Sequence, residues 1–188
     1  MSTTDHGDAS LPPRPYEVEI RTGTGSINGV FVFSSSASLS TERGFINAEF
    51  VPVSYHEAEG QSPSLSTAST HGSQNIKLTN AIVFREDAHH SKEQPLSAIP
   101  TASHTTRHGS INIHYPANWA GKVHARTSPH GSSCFNGKGL QVNKDGDGNA
   151  WAVKQPGDSD EYDWWGGRGN MNVSLEATET GSISFYVG

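Results

Sequence analysis

The chain has 188 residues, of which 32% are apolar and 17% charged, with a formal net charge of −6, 20 glycines, 10 prolines, 10 histidines and one cysteine. That length suits one domain, and the low apolar share suits a thin core rather than a wide one packed with helices on both faces. No run of 18 apolar residues exists to span a membrane, the lone Cys134 excludes an internal disulfide framework, and the acidic balance argues against a nucleic-acid partner.

Residues 1–15 read as a disordered tail ending in Pro12, Pro13 and Pro15, with no apolar stretch of a secretory leader. The compartment expected by default is intracellular, with non-classical export as the exception. Tyr16-Glu-Val18-Glu-Ile20-Arg then alternates apolar and charged residues, which predicts a strand with one face in a core. Val30-Phe-Val-Phe33 is apolar on both faces and predicts a covered, central strand. The polar spans 56–67 and 85–105 predict mobile surface loops. Period-two alternation returns in Ile111–Tyr115, Lys122–Arg126, Met171–Ala177 and Ile183–Val187. No window carries helical periodicity, so residues 16–188 are expected to form a single all-β domain.

A short repeat organises that domain. Thr22-Gly-Thr-Gly25-Ser-Ile27, Thr41-Glu-Arg-Gly44-Phe-Ile46, Thr106-Arg-His-Gly109-Ser-Ile111 and Thr178-Glu-Thr-Gly181-Ser-Ile183 share one frame, with degenerate copies at Thr70-His-Gly72 and Thr127-Ser-Pro-His-Gly131. The frame reads strand, tight turn, strand: glycine permits the turn, and isoleucine restarts the inward face. Stacked units of this kind predict a β-solenoid-like fold or an elongated β-sandwich. Asn28-Gly29 and Asn136-Gly137 are hairpin signals and favour antiparallel pairing, and the uneven spacing of the copies indicates insertions.

The repeated frame resembles the adhesin-type repeat domain of bacteria and its uncharacterised fungal variant. So do Tyr115-Pro-Ala-Asn-Trp119-Ala-Gly-Lys-Val123 and the closing Trp164-Trp-Gly-Gly-Arg168-Gly-Asn with its later Gly181-Ser-Ile. The likeness covers residues 16–188 in outline. It implies a stack of strands and brings no catalytic residues with it.

Three groups of residues carry chemistry. His71, His108 and His130 each precede a turn glycine, and turns stacked in register would set three imidazoles about 4.8 Å apart. Such a cluster suits a divalent transition metal, the one cofactor the sequence suggests. His104 and His108 are four apart and share a face on a strand. Asp158 to Arg168 concentrates carboxylates and aromatics; Asp163, Trp164, Trp165 and Arg168, with Trp119 and Trp151 as further platforms, suit a glycan. Asn143 to Asn149 imitates the start of a calcium loop but has Lys154 where a glutamate belongs, and is read as an Asp-Gly turn. Cys134 is expected to be buried, and no nucleophile elbow or dinucleotide fingerprint is present. The expected role is a non-enzymatic, adhesin-like recognition or structural module. The alternatives are a cytoplasmic carbohydrate-binding lectin and a metal-dependent enzyme using the turn histidines. A protein or glycan ligand is the expected partner, with self-association open.

Overall fold

Inward residues alternate with outward ones along most of the chain, and this pattern builds two facing sheets in the computed structural model. The structure describes residues 16–55, 63–84, 92–94, 101–145, 147–155 and 171–188. Its strands are β1 (Glu17–Thr24), β2 (Ile27–Phe33), β3 (Ser36–Arg43), β4 (Ile46–Tyr55), β5 (Ser64–His71), β6 (Gln74–Leu78), β7 (Ala81–Phe84) and β8 (Lys92–Gln94). They continue as β9 (Thr101–His108), β10 (Ile111–Tyr115), β11 (Gly121–Thr127), β12 (Ser132–Gly137), β13 (Gln141–Lys144), β14 (Asn149–Lys154), β15 (Met171–Thr180) and β16 (Ser182–Val187). The described residues include no helix, hence none long and apolar enough to cross a membrane.

Apart from β7, β8, β13 and β14, consecutive strands alternate between the sheets, and each pairs with its equivalent in a neighbouring coil. One sheet runs β1-β3-β5-β9-β15-β11 in parallel and ends in the antiparallel pair β14 and β13. The other runs β2-β4-β6-β10-β16-β12, all parallel, with β7 and β8 extending from the far end of β4. A single apolar core drawn from both sheets lies between them. The stacking order differs from chain order at one place: β15 and β16 insert between the β9/β10 and β11/β12 coils.

The repeat frame is the corner of each coil, and each of its letters has a physical role. Gly72 has φ +149°, and a Cβ placed on it would lie 1.8 Å from the Gly44 carbonyl oxygen, so the corners stack closer than any side chain allows. The threonine three places earlier ties neighbouring corners together: Thr41 Oγ1 donates to the Gly25 carbonyl at 3.0 Å, and Thr106 Oγ1 to that of Gly72 at 3.2 Å. Ile27, Ile46, Ile111 and Ile183 then enter the core.

Several expectations are corrected. β2, expected to be central, is an edge strand that pairs only with β4, leaving Val30 64% and Val32 51% exposed. An apolar outer face signals that something can cover it, and here no strand of the same chain does among the described residues. Asn28-Gly29 lies inside β2, and Asn136-Gly137 ends β12, which does not pair with β13; both hairpin signals yield to the parallel stacking of coils. β5 begins at Ser64 and β9 at Thr101, inside the spans read as loops. Their inward positions hold Thr67, Ser69 and His104 beside Leu65 and Ala102, so the apolar alternation is too weak to see. The remainder of those spans (56–62, 85–91 and 95–100) and the tail 1–15 lie outside the described residues. Cys134 is exposed on β12 rather than buried.

Candidate ligand-binding face

Parallel pairing in register places equivalent outward residues side by side across the β1–β13 sheet. One row reads Ser38–Ser66–Ser103–Ser174–His124–Trp151, with neighbours on adjacent strands about 4.8 Å apart. The row two residues earlier carries Ser64, Thr101, Asn172 and Lys122. Between these rows runs an open groove of about 690 Å³, with Trp151 at one side and serine hydroxyls opposite. Trp151 is 40% exposed and sits directly across the ladder from His124. A second groove of about 520 Å³ continues over the same sheet toward the corners, past Ser40, Ala68 and Thr105. The described residues lining the larger groove include no carboxylate. It offers hydroxyl and amide hydrogen bonds, one imidazole, one ammonium and one flat apolar ring, a set that holds a polyhydroxylated ligand.

The turn histidines are partly gathered. His71 and His108 are register partners on β5 and β9, and their rings stack at 4.8 Å with planes 22° apart. The third imidazole is elsewhere: β15 intervenes, and Thr180 lies opposite His108, its hydroxyl 3.3 Å from Nδ1. His130 belongs to the next corner beyond that strand. His108 Nε2 instead meets Glu179 at 3.0 Å, and Arg107 also pairs with Glu179. The hydrogen bond from Arg107 is the main reason the Glu179 carboxyl is held below its usual range. Stacked rings direct their nitrogens alongside one another rather than at a common point. Among the described residues no group of three or more His, Cys, Asp or Glu side chains is placed to hold a metal ion.

Of the aromatic candidates, Trp151 faces the groove and Trp119 does not. Trp119 is fully buried, edge-on to Tyr115 and Phe185, and its Nε1–H donates to Met171 Sδ at 3.3 Å. Asp163, Trp164, Trp165 and Arg168 lie outside the described residues. The Asn143–Asn149 segment runs from the end of β13 to the start of β14. Asp145 accepts backbone N–H bonds from Asp147 (3.0 Å) and Asn149 (3.2 Å), which keep its carboxyl below the ordinary range.

His104 departs furthest from its sequence reading. It shares β9 with His108 but points into the core, where it is fully buried. Its Nδ1 lies 2.7 Å from Thr67 Oγ1 and its Nε2 3.4 Å from the Tyr115 hydroxyl. Thr67 donates its single hydroxyl proton to Gln74, so donor counting assigns the imidazole proton to Nδ1 and leaves Nε2 to accept from Tyr115. Desolvation lowers the His104 pKa to about 3 and raises that of Tyr115. The serine row, Lys122 and Asn172 were missed in the sequence, because alternate serines become a surface only once strand register is known.

Comparison with known protein families, characterised proteins and solved structures returned no match.

Proposed function

We propose that the chain is a non-enzymatic, adhesin-like recognition module, and that it binds a glycan along the outer face of the β1–β13 sheet. The observation that carries this reading is the exposed Trp151 ring beside a row of hydroxyls in an open groove. An indole face takes up the C–H side of a sugar ring, while serine, asparagine and histidine groups at strand spacing hydrogen-bond successive hydroxyls. Hydrolysis needs two carboxylates flanking the bond to be broken, and among the described residues the groove lining supplies neither, which supports binding rather than cleavage. The stacked corners support a rigid face, so little ordering entropy opposes binding of an extended ligand.

A glycan array probed with the full chain tests the proposal. Binding to at least one polysaccharide is expected, weakened roughly tenfold or more by Trp151→Ala with the circular dichroism spectrum unchanged. An array without a hit rejects the glycan reading. A hit indifferent to Trp151→Ala moves the ligand away from this groove.

A further inference from the structure

The stack is open at the end formed by β1 and β2. β1 pairs only with β3 and β2 only with β4, so each sheet presents one edge of unpaired backbone there among the described residues. The end of the core is incompletely covered as well: Val18, Ile20 and Phe31 pack against it while remaining partly exposed. On the outer surface beside them Val30 and Val32 are exposed, and Phe45, in the next corner, is 61% exposed. Open edges with an apolar surface are templates for another strand. Residues 1–15, which precede β1, offer only Met1, Ala9 and Leu11 as apolar residues together with three prolines, a composition without strand alternation.

We propose that this end is a homodimer interface, in which a second copy of the chain lays its own β1 and β2 antiparallel along these two edges. A two-fold axis normal to the sheets reverses strand direction and stacking direction together, so it sets β1 against β1 and β2 against β2. Ile20 and Phe31 lie equally far from the Gly25-Ser26 corner, so a single axis passes through both positions. In that register Glu19 lies opposite Arg21 of the second copy, and Arg21 opposite its Glu19. These side chains already face outward as an exposed pair 2.6 Å apart within one chain. On the other sheet the same axis sets each Val30 opposite a Val32, which gathers four exposed valines into one patch. The backbone agrees. Ile27 N–H bonds the Phe45 carbonyl on the β4 side, so the peptide groups of Val30 and Val32 turn to the open edge. Facing one another, they form the hydrogen-bonded pair of an antiparallel ladder.

Sedimentation of the full chain across a dilution series tests this. The parent is expected to form a dimer of 20.1-kDa chains. Glu19→Arg puts like charges opposite one another and is expected to weaken the dimer roughly tenfold. Adding Arg21→Glu to that variant restores opposite charges and the dimer. Val30→Lys with Val32→Lys, at exposed positions that leave the circular dichroism spectrum unchanged, gives monomer. A parent that is monomeric at every concentration overturns the proposal. So does a dimer indifferent to these substitutions, or a charge exchange that fails to restore it.

Discussion

His104 sits where water does not reach, and its proton equilibrium is therefore tied to folding. With the folded-state pKa lowered to about 3, the unfolded chain takes up a proton below the ordinary value of 6.5 that the folded chain refuses. Stability contributed by the neutral ring is fully present above 6.5 and is lost as pH falls from there toward 3, at about 1.4 kcal/mol per pH unit. Urea denaturation at pH 7 and pH 5 is expected to show about 2 kcal/mol lost through this residue. His104→Gln is expected to be less stable than the parent at pH 7, since Thr67 and Tyr115 lose their partner, yet to show a shallower decline with acid. An equal decline in both proteins would locate the titrating group elsewhere. Nothing local to Thr101-Ala-Ser-His104 announces a buried histidine. The placement arises from Thr67 on β5 and Tyr115 on β10, which meet its two nitrogens, and from Gln74 on β6, which takes the Thr67 proton.

At the scale of the element, the corner turn is the part of the fold most legible in the sequence. Thr, Gly and Ile recur at fixed offsets because each answers a local requirement, and a local requirement leaves a local signal. The inward and outward faces of β1, β10, β11, β15 and β16 were legible for the same reason, in the alternation of their side chains. β5 and β9 were partly hidden because their inward faces use threonine, serine and histidine, satisfied by hydrogen bonds rather than by apolarity. The corner stack also makes a graded prediction. Gly72→Ala adds a Cβ 1.8 Å from the Gly44 carbonyl and is expected to cost at least about 2 kcal/mol by chemical denaturation. Gly25→Ala, at the open end, meets only Thr22 Oγ1 at 3.7 Å and bears the backbone strain alone, so its cost is expected to be smaller. Equal losses would refute the close approach of the corners.

Across the whole molecule, the order of the coils was not legible. Each coil carries the frame or a degenerate copy of it, so local pattern does not say which coil neighbours which, and the insertion of β15 and β16 is fixed only by packing. That insertion is why His130 is separated from His108, and why Ser174 completes the serine row. It also distinguishes the protein from an array in which losing a terminal unit shortens the stack. Deleting residues 171–188 removes Leu175, Ile183 and Phe185 from the middle of the core and leaves β9, β10, β11 and β12 without a partner between them. The expected result is loss of cooperative unfolding and aggregation, seen by light scattering and circular dichroism. A soluble, cooperatively folded remainder would contradict it.

The same insertion sets an order of events during synthesis. β1 to β6, β9 and β10 can stack as they leave the ribosome, since each new coil docks on the one before it. β11 to β14 have no such berth when they emerge, because the surface they rest on is made of residues translated after them. They must wait, and the nascent chain closes only when β15 and β16 arrive to fill the gap. A chain stopped before that point has two stacked parts with no strand between them to pair their facing edges.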